Sequence, residues 1–337
     1  MNPEELLAEF RSLGGVFENA RIGEGATGRG VLVLDPAKPA IVHVPPNLLV
    51  PISDVEVRDG RLTVNAHGKI GARERAFFET YQRHFGWSAG LFEEIAAQQT
   101  GWYELPDEIK RRICTMGAVG NPESRFEAPT IEACLKNYIE TRDVYFRGKP
   151  HIAPLLELVN HSPTGCDYAT DDGVTVAGTF EAEVFARYNV RDAWAVALHY
   201  GFAHRSPYGY SLAITVDIYA NKRLVIDRDA AAVRMVDGIR YPRREDDGDI
   251  VTLTNVMLGD STAMDVPRAV FRKLLSAELT ISQADEVFDG IAFYNRRRFL
   301  DILSALQRYE GNVVRMLQAA AIHQLHALSA CVGARIL

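Results

Sequence analysis

The feature that most constrains this chain is a change of sequence period. Residues 16–57 are β-rich, with strand-like runs Val31-Leu32-Val33-Leu34 and Ile41-Val42-His43-Val44. Pro45-Pro46 ends the second run, because proline has no N–H to give a sheet ladder. Residues 55–64 are expected to form a hairpin across Asp59-Gly60. From about residue 72 to residue 146 the pattern turns helical. Residues 73–81, 89–95, 105–113 and 131–145 carry apolar positions three or four apart. By itself this block reads as a small helical domain.

The ends of the chain follow the same logic. Residues 3–13 predict a short amphipathic helix, with Leu6, Leu7 and Phe10 on one face. Residues 210–219 alternate with period two, and residues 223–227 supply a partner strand. Residues 243–249 read as a polar loop with a short strand after it. From Asp265 the pattern is helical, with Asp265 as N-cap and Pro267 in the first turn. Residues 288–328 predict two packed helices broken near Gly311-Asn312. The fold class is therefore α+β.

Composition excludes several function classes. The 337 residues are enough for roughly two or three domains, and 47% hydrophobic with 24% charged residues is ordinary for a globular protein. No apolar run approaches the ~20 residues a membrane helix needs. The start, Met1-Asn2-Pro3-Glu4-Glu5, is acidic and unlike a signal peptide. Cys114, Cys134, Cys166 and Cys331 are scattered, with no Cys-x-x-Cys pair. That pattern points to reduced thiols in a cytoplasmic protein and away from a zinc site. The formal charge is 37 − 44 = −7, and no basic face for nucleic acid is visible. Arg296-Arg297-Arg298 sits in a helical pattern and reads as a solvated face. An acidic protein is compatible with a cationic substrate.

Gly23, Gly25 and Gly28 satisfy G-x-G-x-x-G, a spacing that lets backbone N–H groups approach a phosphate. A dinucleotide fingerprint needs a helix next, and here the strand-like residues 31–34 follow. The kinase loop and the P-loop lack their partner motifs as well. The plain reading is a glycine-rich β-turn.

Chemistry concentrates further on. The apolar Leu155, Leu156, Leu158 and Val159 feed into Asn160-His161-Ser162-Pro163. Val184-Phe185-Ala186-Arg187-Tyr188 and then Tyr200-Gly201-Phe202 follow. Each piece alone has a structural explanation. Asn and Ser form turns through their own backbone, and a tyrosine at a strand end is half-buried core. His161 lacks partners at a zinc spacing, and His323 and His326 read as helix residues. Cys166 reads as a structural thiol.

Taken in order, Asn160-His161-Ser162, Tyr188 and Tyr200-Gly201-Phe202 resemble the SET-domain methyltransferases. The resemblance is to the subgroup of the Rubisco large-subunit lysine methyltransferase and covers roughly residues 12–206. Gly28-Arg29-Gly30 matches the opening turn of that domain, and Val44-Pro45-Pro46-Asn47-Leu48-Leu49 matches a following motif. The resemblance implies a β-rich SET domain with a pseudoknot in residues 1–71 and 147–206. It implies a helical insert at 72–146 and a hairpin-plus-helix C-terminal domain at 207–337 that docks the substrate. The cofactor implied is S-adenosylmethionine, with S-adenosylhomocysteine as product and no metal. The partner implied is a protein substrate presenting a lysine, with no nucleic acid and no membrane.

Residue by residue, the resemblance implies that Tyr188 is the catalytic tyrosine at the methyl-transfer pore. It implies that Gly28, Arg29, Gly30, Asn160 and His161 would hold the cofactor and that Phe202 would stack on its adenine. Arg142 would salt-bridge its carboxylate; the alternative is a surface arginine paired with Asp143 or Glu140. By the same resemblance Tyr200 and Tyr168 would line the lysine channel, with Glu157 near it. The chain has Tyr188-Asn189 where the common pattern is Tyr-Gly. A scaffold that has lost catalysis, or a methyltransferase acting on histidine, are the alternative functions.

Overall fold

The computed structural model describes residues 2–25, 28–117, 122–188, 191–219, 221–229, 234–236 and 239–329. Asn189 and Cys331, named above, lie outside them. Helix α1 (Pro3–Ser12) leads into strands β1 (Val16–Glu18), β2 (Ala20–Gly25), β3 (Gly28–Val33) and β4 (Ala40–Val44). Strands β5 (Val50–Pro51), β6 (Val55–Arg58) and β7 (Arg61–Val64) follow. Helices α2 (Ala72–His84), α3 (Phe92–Tyr103), α4 (Asp107–Thr115) and α5 (Ile131–Arg142) come next. Strands return as β8 (Asp143–Phe146), β9 (Lys149–Ile152), β10 (Asn160–Cys166), β11 (Val174–Gly178) and β12 (Phe185–Ala186). Helix α6 (Ala193–Tyr200) precedes β13 (Tyr208–Tyr210), β14 (Ile214–Ile218), β15 (Lys222–Asp227), β16 (Arg234–Val236) and β17 (Ile239–Tyr241). Strands β18 (Arg243–Asp247), β19 (Ile250–Thr254) and β20 (Met257–Asp260) lead to helices α7 (Val266–Leu274), α8 (Ile281–Leu306) and α9 (Asn312–Ser329). The class is α+β.

The contacts divide the chain into two units: Met1–Ala97 with Pro129–Asn189, and Gln98–Ala128 with Val190–Leu337. The helical stretch 72–146 is thus shared between both.

In the first unit, β4 is the centre of a sheet ordered β1-β4-β11. Its alternation puts Ala40, Val42 and Val44 inward, where Phe17, Val174 and Val176 meet them, all buried. Helix α2 covers this core with residues four apart, which share a face. Phe77, Tyr81 and Phe85 stack in a ladder that continues to Phe10 of α1, at centroid spacings of 5.8, 6.5 and 6.4 Å. Asn2 and Glu5 close a reciprocal cap at the start of α1. The Asp59-Gly60 turn forms the expected β6–β7 hairpin, with both residues at positive φ.

In the second unit, β14-β15-β19-β18 form one sheet. Leu224, Ile226, Val251 and Leu253 turn inward against Phe271, Phe288 and Phe299 of α7 and α8. The two long helices expected at the end are α8 and α9, separated at Gly311.

Several expectations need correction. The helical pattern read to residue 145 ends at Arg142, and Asp143–Phe146 pair with Lys149–Ile152 as a hairpin. The continuous alternation of 210–219 is cut at Ser211–Ala213. There Ser211 N–H donates to Val256 O at 2.8 Å and Leu212 N–H to Asn295 Oδ1 at 2.7 Å, so the chain leaves one sheet for another. The polar loop at 243–249 is mostly strand β18, which ends its sheet among the described residues; Arg243, Glu245, Asp246 and Asp247 are exposed, while Arg244 turns in to pair with Glu278 at 2.6 Å. Asp265 precedes α7, but its side chain makes no cap hydrogen bond.

Candidate active site

Strand β10 carries Asn160 and His161, and β12 runs parallel to it, with Asn160 opposite Phe185 and His161 opposite Ala186. The register is irregular between His161 and Cys166. On its other side the same segment meets β3. Val33 N–H donates to Ala182 O and Val184 N–H to Val31 O, each at 2.8 Å. Residues 182–186 are thus laid between β3 and β10. The fit is close at Gly165, where a Cβ would stand 2.7 Å from Ala186 backbone carbon. Only glycine allows the two backbones that approach.

This clasp brings the site residues together. Asn160 Nδ2 donates to Arg29 O at 3.2 Å and to Glu183 Oε1 at 2.7 Å. Glu183 is 5% exposed. A Cβ on Gly30 would lie 2.5 Å from Glu183 Oε1 and 2.7 Å from Asn160 Nδ2, so Gly30 is the space into which that pair fits. Gly23 pairs with Gly30 and Gly25 with Gly28 in the β2–β3 hairpin. The G-x-G-x-x-G spacing therefore belongs to two antiparallel strands and not to a helix-capping phosphate loop.

Tyr188 follows β12 by two residues. Its N–H donates to His161 Nδ1 at 3.2 Å, which requires that ring nitrogen to be unprotonated. Its hydroxyl donates to Val159 O at 2.6 Å, leaving the phenol lone pairs directed elsewhere. The His161 ring lies 5.2 Å from the Tyr188 ring, and Tyr168 stacks on Tyr188 at 6.5 Å and 23°. Tyr168, Tyr188, Asn160, His161, Arg29 and Gly30 thus form one neighbourhood.

Glu157 and Arg142 form the adjoining group. The Tyr138 hydroxyl donates to Glu157 Oε2 at 2.6 Å, and Gln82 Nε2 to Glu157 Oε1 at 3.1 Å. Burial pushes the Glu157 carboxyl up from its ordinary 4.5, against the opposing pull of the Tyr138 hydroxyl and then the Arg142 charge. Tyr81 is fully buried, and its hydroxyl has no hydrogen-bond partner of normal geometry. Burial first, and then the Glu157 charge, raise its pKa well above 10.0, while the Arg29 charge opposes. Arg142 ends α5, donates to Thr141 Oγ1 at 2.9 Å and lies over the Tyr138 ring at 5.4 Å. Arg29 Nη1 reaches Ala89 O at 3.4 Å. Two guanidinium groups therefore act on one buried phenol–carboxyl cluster, an arrangement suited to an anionic ligand group.

Tyr200 and Phe202 belong to the second unit. They stack on each other at 6.0 Å and 29°, beside His199 and beneath the Arg191 guanidinium at 5.6 Å. Gly201 between them caps α6 in the left-handed conformation, φ 77°, and its carbonyl accepts from Gln98 Nε2 at 2.6 Å.

Sequence reasoning missed Glu183, Gln82 and Tyr138. A glutamate in Glu181-Ala182-Glu183 reads as surface, and only the pairing of residues 182–186 on both sides turns it inward. Gln82 and Tyr138 sit on helices whose patterns give no sign that they meet. Among the described residues, no group of three or more His, Cys, Asp and Glu is arranged to hold a metal ion.

No family model matches the chain, and no curated protein matches it. Solved structures do. The SET domain of LSMT bound to lysine and AdoHcy is 11% identical, with 97% of this chain and 89% of that chain covered at a TM-score of 0.43. Rubisco LSMT bound to AdoMet is 12% identical, with 98% and 90% covered at 0.42. Rubisco LSMT bound to sinefungin and monomethyllysine is 12% identical, with 97% and 89% covered at 0.41.

Proposed function

We propose that this chain is a SET-type protein methyltransferase that uses S-adenosylmethionine and acts on a lysine amine. The observation that carries the reading is the parallel clasp of β10 and β12, which sets Tyr188 against Val159 and His161. In this reading residues 1–71 and 147–206 are the two parts of the SET domain. Residues 72–146 are its insert, and 207–337 a C-terminal domain.

The side chains present fit the proposed cofactor. The guanidinium of Arg142 suits its carboxylate, with Arg29 at the same cluster. The backbone of Gly28-Arg29-Gly30, open at Gly28, where a Cβ would meet nothing within 4 Å among the described residues, suits its amino-acid end. Asn160 and His161 offer backbone groups beside it. When bound, S-adenosylmethionine supplies a methyl group on a sulfonium, already a strong electrophile.

The chain's own task is then to position and to exclude water. The Tyr188 hydroxyl, held 2.6 Å from Val159 O, would offer its oxygen beside that carbonyl oxygen, two partial negative charges suited to a methyl group bearing positive charge. Tyr168, stacked on Tyr188, walls that position. A lysine entering an apolar channel beside a positive charge loses its proton to solvent more readily, because desolvation and like charge both disfavour ammonium. The neutral amine is then held in line at near-attack distance. Glu157 stays fixed by Tyr138 and Gln82, where it offsets the Arg142 charge. For Tyr200 and Phe202 the proposed roles remain channel lining and adenine stacking. The partner is a protein presenting a lysine, in a reducing compartment such as the cytoplasm, consistent with Cys114, Cys134 and Cys166 forming no disulfide among the described residues.

The test is transfer of a tritiated methyl group from S-adenosylmethionine to proteins of a lysate, followed by acid hydrolysis. Labelled methyllysine is expected, falling about a hundredfold or more with Tyr188→Phe. Labelled methylhistidine would move the nucleophile to another side chain. No incorporation despite S-adenosylhomocysteine binding would leave a SET-fold binding protein without catalysis.

A further inference from the structure

The second unit holds a groove apart from the residues assigned above to cofactor and catalysis. About 500 Å³ of space runs between β14 and α8, walled by Val216, Ile218, Val287 and Ile291, with the carboxylates of Asp217 and Glu286 at hand. The Tyr219 hydroxyl, 2.6 Å from Glu286 Oε2, ties the end of the strand to the helix.

Two independent features mark this groove. First, β14 is an edge. Among the described residues it pairs with β15 only, so its other side offers unpaired N–H and C=O groups beside an apolar wall. Second, Gly290 lies inside the 26-residue helix α8. Glycine there costs about 1 kcal/mol relative to alanine. No packing requires it, since a Cβ at Gly290 would meet nothing within 4 Å. It lines the groove, and its missing side chain keeps the groove open for another backbone.

We propose that this groove takes an extended, lysine- or arginine-bearing segment of a partner protein, which adds to β14 as a further strand. Main-chain pairing would give the affinity. Alternate side chains of the segment would fall against Val287 and Ile291, since side chains in a strand alternate. Charge selects the partner. Asp217 keeps 88% of its side chain exposed beyond its 3.4 Å contact with Arg223, and Glu286 is exposed. Two copies of this chain joined edge to edge at β14 would bring these carboxylates together, whereas a basic segment neutralises them. The assignment does not depend on the methyl-transfer reading.

The probe is a fluorescein-labelled, end-capped peptide of alternating lysine and valine, followed by anisotropy on the full chain at low salt. A glutamate–valine peptide and a lysine–valine peptide with its central valine replaced by proline serve as controls. Binding of the lysine–valine peptide alone is expected. It should weaken about tenfold or more in Gly290→Trp, which fills the groove, and stay within about twofold in Gly290→Ala. Circular dichroism melts verify folding, and Asp217→Lys provides the same loss without filling the helix face. Three results would overturn the proposal: no binding, equal binding of the acidic or proline peptide, or indifference to both Gly290→Trp and Asp217→Lys. Concentration-dependent self-association abolished by Gly290→Trp would replace the partner segment with a second copy of this chain.

Discussion

Glu183 in the first unit and Asp192 in the second are both buried carboxylates, 5% and 0% exposed, and the two units hold them differently. Asp192 caps α6 through Ala195 N–H at 2.8 Å and also accepts from Tyr210 N–H at 3.2 Å. Arg228 and Gln324 each donate to it at 2.9 Å, and the Arg228 side chain is itself only 3% exposed. A buried charge is closed in by a buried opposite charge. Glu183 accepts from the neutral amide of Asn160, which reaches on to the backbone of Arg29. The difference lies in what each carboxylate holds together. Asp192 ties a helix to a strand and to α9. Glu183 ties the start of β10 to β3 through the Asn160 amide.

The contrast breaks most readily at Asp192. Asp192→Ala leaves the Arg228 charge buried and uncompensated. It should cost about 3–5 kcal/mol in urea unfolding followed by tryptophan fluorescence. Trp102 and Trp194 are buried in this unit and report it directly. A loss below about 1 kcal/mol would erase the distinction. Glu183→Ala should cost less, about 1–3 kcal/mol for an amide left short of its acceptor. It should also weaken S-adenosylhomocysteine binding about tenfold, an effect Asp192→Asn should not share if it melts near the wild type.

Two titratable groups sharpen the comparison by pH. Burial, and then His323, push the His204 imidazole down to about 4, against the opposing Asp192 charge. The folded state refuses a proton that the unfolded state accepts. Stability is therefore present above pH 6.5 and lost as pH falls toward about 4. His204→Leu should flatten that loss by about 1–2 kcal/mol after allowance for solvent screening. Glu157 behaves oppositely. Its raised carboxyl pKa gives stability that is full below 4.5 and lost as pH rises through the folded value. Glu157→Gln should remove this slope, the smallest of these effects, in melts compared across that window.

Much of the fold was legible because local pattern and burial agree. Ala40, Val42 and Val44 alternate and are buried, and Asp59-Gly60 turns as its residues demand. Legibility failed where tertiary contacts overrule pattern. The alternating run 210–219 is severed by Asn295, a residue on a distant helix. The charged Arg243–Asp247 is a strand because an edge tolerates charge. Helix α6, apolar on every side and buried from Ala193 to Leu198, shows no amphipathic stripe to read. At the site, Asn160, His161 and Tyr188 are marked by their order along the chain. Glu183 and Gln82 gain their roles only from residues far away in sequence.

The most direct test of the account is calorimetric titration of the purified chain with S-adenosylhomocysteine, beside Asn160→Ala. The account predicts micromolar binding by the wild type and about tenfold weaker binding by the variant, with heats of one site. No binding by the wild type, or equal binding by Asn160→Ala, would contradict it.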